Sequence, residues 1–213
     1  SAGNPLDLVN SIGPGTVVHV SADSRHSNYG KYVVVAHDFP GGPFFSLYAH
    51  LGETACQAGD RVRAGGMLGR LGFTGTGLDR ERAHLHLEFA LLLRSRFEDW
   101  HSTHAGGTNH HGLHNGMNLA GMDVAALFLE HRKNPNLSIP AFVQSTPVHF
   151  KVVIPRTGDL DLTRRYPWLL AGSTSASSPS WEISFSNTGL PLAVTPCARD
   201  RKSTRLNSSH RIR

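Results

Sequence analysis

Five runs of strand length and composition follow one another through the first ninety residues, at 16–20, 32–37, 44–50, 67–71 and 84–89. Glycine-rich turns separate them: Gly13-Pro14-Gly15, Pro40-Gly41-Gly42-Pro43, Gly59-Asp60, Gly65-Gly66 and Gly75-Thr76-Gly77. Val, Thr, Tyr and Phe suit a pleated, half-buried surface, and glycine supplies the backbone conformations that tight turns need. Short strands at regular spacing predict a mainly β chain, folded as a small antiparallel β-sandwich or barrel-like domain.

After residue 93 the pattern changes. Residues 94–121 are polar and rich in Gly, Asn and His, with His101, His104, His110, His111 and His114. This stretch reads as a long loop with a short helix near 94–100. Residues 123–132 space Val124, Leu127, Phe128 and His131 for one helical face. Pro135 and Pro140 are expected to break regular structure beyond that helix, with further strands at 148–154 and 181–186 and a Ser-rich linker at 173–180. The expected division is a β domain over 1–93, a C-terminal α+β extension over 94–198, and a tail over 199–213.

The net charge of +5 points at first to a nucleic-acid or anionic-surface partner. The tail alone holds Arg199, Arg201, Lys202, Arg205, Arg211 and Arg213 against Asp200, which accounts for the whole excess. Residues 1–198 are therefore neutral overall, and no nucleic-acid partner is expected. The tail has no apolar period and resembles translated sequencing-adapter sequence; it is expected to be non-native and to pack against nothing. No apolar stretch approaches the roughly 20 residues that cross a bilayer, so no transmembrane segment is expected. Two cysteines, Cys56 and Cys197, are too few for a disulfide framework.

The chemistry concentrates in two places. In His84-Leu85-His86, strand alternation puts His84, His86 and Glu88 on one face and Leu85, Leu87 and Phe89 on the other. Imidazole is both a zinc ligand and a base near neutral pH. Taken alone, the triplet is equally compatible with two surface histidines in a chain that has 14. In the run 44–50, Phe45, Leu47 and Ala49 alternate with Ser46, Tyr48 and His50, which sets His50 on a polar face at a strand end. By itself it reads as an ordinary exposed histidine.

Six pieces in order carry more than any one of them. They are Asn28-Tyr29-Gly30, the run 32–37 ending in His37, Leu47-Tyr48-Ala49-His50-Leu51, the stretch 58–65, Gly72-Phe73-Thr74-Gly75-Thr76-Gly77, and His84-Leu85-His86-Leu87-Glu88. Over about residues 13–89 the sequence resembles the lysostaphin and LytM-like zinc endopeptidases of peptidoglycan. The resemblance implies a small antiparallel β fold with a groove over its sheet. It implies Zn2+ held by His and Asp of an upstream His-x-x-x-Asp motif and by His86, with His84 and His50 as the catalytic pair. Zinc would acidify its bound water and polarise the scissile carbonyl. One histidine would assist deprotonation and the other would stabilise the oxyanion. His37 is assigned no catalytic role. The implied partner is the peptide of peptidoglycan, and the implied location is periplasmic or extracellular, at the cell envelope.

The sequence departs from the pattern at one point. No His-x-x-x-Asp precedes Gly15; four residues before Asp7 stands Gly3. The expectation is a domain cut before that motif, short of two of three zinc ligands and inactive as it stands. The alternative is a non-catalytic LytM-like domain that binds or activates a cell-wall hydrolase. The spacings of His101–His114 match no ligand set and read as a groove-lining or structural loop. Residues 72–77 lack the Lys and following helix of a phosphate loop and read as a turn. Trp100, Trp168 and Trp181 are assigned to packing.

Overall fold

The structure is a computed structural model that describes residues 7–172 and 178–198. The tail at 199–213 and most of the Ser-rich linker lie outside the described residues. The elements run β1 (Leu8–Asn10), β2 (Gly15–Ser21), β3 (Lys31–Phe39), β4 (Gly42–Thr54), β5 (Arg61–Val62), β6 (Met67–Leu71), β7 (His86–Leu92), α1 (Phe97–His104), β8 (Leu119–Gly121), α2 (Val124–Lys133), α3 (Ile139–Ser145), β9 (Phe150–Pro155), α4 (Asp161–Arg165), β10 (Ser180–Phe185) and β11 (Pro191–Cys197). The described residues divide into two compact units, 7–39 with 43–119, and 40–42 with the described residues from 120 onward.

The first unit is built on a curled antiparallel sheet with strand order β1-β6-β4-β3-β2-β5, and β7 pairs with β4 off that path. Both faces of its centre are apolar. Tyr32, Val34, Phe45, Leu47, Ala49, Ala90 and Leu92 pack on one face. Val17, Val33, Val35, Tyr48, Leu51 and Leu68 pack on the other. This is why residues 32–35 are continuously apolar: a strand covered on both faces has no polar side to present.

The polar face expected for 44–50 is consequently absent. Ser46, Tyr48 and His50 are all buried. Ser46 Oγ donates to Tyr48 Oη at 3.0 Å and lies 2.7 Å from His37 Nε2, while Ile12 N also donates to Tyr48 Oη. Fully buried His37 also faces the Pro14 carbonyl through Nδ1 at 2.8 Å. It ties three segments of the sheet together and has a structural place. Alternation finds two faces but not what covers them.

Residues 94–121 hold more structure than a loop. α1 starts three residues later than the expected helix and buries Phe97 and His101. Asn118 then closes the segment. Its amide donates to the carbonyls of Arg94 and Leu113, and its Oδ1 accepts from Arg94 N.

In the second unit, α2 is capped by Asp123, whose carboxylate accepts from Ala126 N at 2.8 Å. Phe128, expected on its buried face, is 44% exposed. Pro140 does not break structure; it sits in the first turn of α3, where a missing N–H costs nothing, behind the Ser138 cap. β9, β10 and β11 form an antiparallel sheet in the order β11-β10-β9. β11 was not among the expected strands; it contains Pro191 and Pro196, which an edge strand tolerates.

Candidate active site

His50 occupies a junction in β4. Before it, β4 pairs with β7, with Ala49 opposite His86. After it, β4 pairs with β6, with Leu51 opposite Leu71 and then a register shift. At the junction itself His50 has φ of 64°, unique to it among described non-glycine residues. The left-handed kink interrupts the strand alternation, so His50 lies inside a long strand and not at its end. Its N–H donates to the Tyr29 carbonyl at 2.9 Å.

The turn at 72–77 locks against this kink. Thr74 Oγ1 donates to the Leu51 carbonyl at 2.8 Å and accepts from Lys31 N at 2.9 Å. A Cβ on Gly75 would stand 2.2 Å from the Asn28 carbonyl oxygen, and one on Gly30 would stand 2.4 Å from Thr74. Both glycines have positive φ. The Asn28-Tyr29-Gly30 turn and the 72–77 turn therefore interlock at a distance that only glycine permits.

His86 opens β7, whereas His84 precedes the strand and is exposed. Leu85, expected on the core face, is 38% exposed. The structure nonetheless brings the three imidazoles together. The ring centroid of His50 is 5.0 Å from that of His84 and 5.6 Å from that of His86. His50 and His86 line a cleft of about 280 Å³ with Asn28, Tyr29 and Arg82.

Each imidazole has one nitrogen held by an oxygen acceptor. His50 Nδ1 faces the Thr74 carbonyl at 2.9 Å. His84 Nδ1 faces the Arg82 carbonyl at 2.8 Å. His86 Nε2 faces Glu88 Oε1 at 3.0 Å. A carbonyl or carboxylate oxygen only accepts, so in the neutral rings the proton sits on that nitrogen and the other carries the lone pair. Burial pushes the pKa of His50 below the ordinary imidazole value, the Thr74 carbonyl opposes this, and the neighbouring His84 and His86 add to the lowering. This lowering favours the uncharged imidazole of His50.

Zinc needs three protein ligands and an open position. Among the described residues, no group of three His, Cys, Asp or Glu side chains is placed to hold a metal ion. The three imidazoles do not fit a zinc ion as a set in this arrangement.

Tyr29 and Glu88 were legible as parts of motifs but carried no assigned role. Tyr29 Oη donates to Glu88 Oε1 at 2.5 Å. Burial, and then this bond, hold the Tyr29 phenol far above its ordinary pKa. No local signal joins residues 59 positions apart. His19 was also missed; its ring lies beside Tyr32, His111 and His114.

Comparison with known proteins adds a family. The model of Peptidase family M23 matches residues 1–96. No curated protein matches. Among solved structures, the catalytic domain of the antimicrobial peptidase lysostaphin from Staphylococcus simulans is 27% identical, with 40% of this chain and 59% of that one covered and a TM-score of 0.34. The catalytic domain of the prophage-encoded M23 protein EnpA from Enterococcus faecalis is 23% identical, with 42% and 62% covered and a TM-score of 0.34. A zinc-containing peptidase from Vibrio cholerae is 31% identical, with 42% and 24% covered and a TM-score of 0.32. The chain spans less than two thirds of the length of each of these three. The match to Peptidase family M23 over residues 1–96 supports a lysostaphin/LytM-like domain there.

Proposed function

We propose that the domain hydrolyses peptide bonds in the peptides of peptidoglycan, with zinc as its metal, on the outer side of the cytoplasmic membrane. The observation that carries this reading is the gathering of the His84 and His86 rings around His50, two of the three (His50 and His86) lining one cleft, each with one nitrogen fixed by an oxygen acceptor. In this proposal the lone pair of His50 Nε2 takes a proton from water as its oxygen attacks the scissile carbonyl carbon. His84, exposed beside it, is assigned to stabilise the oxyanion. Return of the proton to the amide nitrogen breaks the C–N bond and leaves a carboxylate and an amine. His86 is assigned to the metal as one ligand.

A second reading is a non-catalytic domain that binds or activates a cell-wall hydrolase. It is favoured by the absence of a three-ligand group among the described residues. One assay separates them. Purified peptidoglycan is incubated with the protein and excess zinc, and new amino termini are counted. Amino groups that accumulate over many turnovers, and fail to do so with His84→Ala, support the peptidase. Sedimentation with cell walls or with a hydrolase, and no new amino termini, would replace it with the second reading.

A further inference from the structure

We infer that Glu88 and Tyr29 are positioning residues that decide which nitrogen of His86 faces the cleft. Glu88 lies two residues after His86 on β7, so both side chains leave the same face of the strand. A single oxygen, Glu88 Oε1, is 3.0 Å from His86 Nε2 and accepts from Tyr29 Oη at 2.5 Å. A carboxylate oxygen has two lone pairs and no proton to give, so it serves both donors at once. His86 then carries its proton on Nε2, and Nδ1 is the nitrogen left with a lone pair.

Tyr29 also restrains the ring sterically. The two rings meet nearly at right angles, 5.4 Å between centroids. Tyr29 is itself fixed at both ends. Its carbonyl accepts from His50 N. On its ring side Gly116 approaches so closely that a Cβ there would lie 2.7 Å from Tyr29 Cε2. One residue therefore joins the backbone of His50 to the side chain of His86, and the segment after the His-rich stretch buttresses it. A carboxylate held behind an imidazole is the usual means of fixing the tautomer of a ligand histidine. The inference rests on the proposed peptidase only for the use of the open nitrogen; the tautomer itself does not depend on it.

The test is histidine tautomer assignment by long-range proton–nitrogen NMR on the metal-free, 15N-histidine-labelled chain, at a pH where the rings are neutral. The expected result is a single Nε2–H tautomer for His86. Glu88→Ala should convert it to a mixture, and Tyr29→Phe should do so in part. Glu88→Gln should keep the single tautomer, because the amide oxygen can take both bonds. With zinc in excess, Glu88→Ala should lower kcat about 10–100-fold with KM little changed, and Glu88→Gln should restore most of it. A Nδ1–H tautomer in the unaltered protein, or an unchanged pure tautomer in Glu88→Ala, overturns the inference, and the measurement on the unaltered protein stands even if Glu88→Ala does not fold. The expected tautomers without hydrolysis by any form would instead defeat the peptidase reading and leave the positioning role in place.

Discussion

The rings of His19 and His111 meet edge to face with centroids 5.6 Å apart, and His19 Nε2 and His111 Nδ1 are both buried with no hydrogen-bond partner among the described residues. Tyr32 packs on both rings, His114 flanks His19, and His26 and His110 flank His111. Glu88 acts on Tyr32 from a distance, and Asp23 faces His26. Burial, and then His111 and His114, lower the pKa of His19 to about 4. Burial also lowers His111 and His114. The folded state thus binds fewer protons than the unfolded chain between the folded pKa and the ordinary value of about 6.5. This contribution to stability is complete above pH 6.5 and is lost as pH falls towards 4. A thermal scan should show Tm level from pH 8 to 6.5 and lower by at least about 5 °C at pH 4.5. His19→Phe, which keeps an aromatic ring against Tyr32, should flatten part of that slope. An identical slope in the variant would remove His19 from the explanation.

The backbone of His50 allows its chemistry to be separated from its fold. A residue at φ of 64° favours Asn over Ala, because Asn tolerates the left-handed region. His50→Asn should keep Tm within about 3 °C and lose about 10²–10⁴-fold in kcat. His50→Ala should lose the same activity and also Tm, since strain of about 1 kcal/mol or more is added. If both variants retain full turnover, His50 is not the base.

Gly75 tests the interlocked turns. Ala there would meet the Asn28 carbonyl at 2.2 Å with φ near 111°. Gly75→Ala should cost about 2 kcal/mol or more. It should also lower activity, because the Thr74 carbonyl that holds His50 Nδ1 must move. Denaturant unfolding beside the amino-terminus assay checks both; a stable and fully active Gly75→Ala protein would show that the turn can open without disturbing His50.

The sequence disclosed the strands at 16–20, 32–37 and 67–71 almost as they stand, because Val, Tyr and Leu at strand spacing between glycine turns leave few alternatives. The burial of Tyr48 and His50 was not legible. Period-two alternation names two faces, but whether water or a second apolar cluster meets the polar one is decided by segments far away in the chain. The same limit hid Glu88 and Tyr29 as a pair. The kink at His50 was hidden for another reason: nothing in Ala49-His50-Leu51 demands a positive φ, and the demand comes from β4 leaving β7 to pair with β6. Pro140 misled because proline excludes a position inside a helix but not its first turn.

Zinc binding gives the last prediction. Three protein ligands are needed for a tight site, and no three-residue group among the described residues supplies them. The imidazoles of His50, His84 and His86 each have an open nitrogen, so weak binding through one or two of them is expected. The protein should lose its zinc on dialysis, and the peptidoglycan assay should need zinc in excess. A ligand that binds only the folded state stabilises it by RT ln(1 + [L]/Kd). For a nanomolar site at 10 µM zinc that is about 5 kcal/mol, which raises Tm by more than about 20 °C in a domain of this size. For a site weaker than about 1 µM the rise is under roughly 10 °C. Thermal unfolding with and without 10 µM zinc, beside elemental analysis after dialysis, distinguishes the two. The expected outcome is the small shift and less than one zinc per chain, with His86→Ala reducing the shift further. One retained zinc per chain and the large shift would mean that the histidines and a fourth group close around the ion when it binds, and the metal would then belong to the fold.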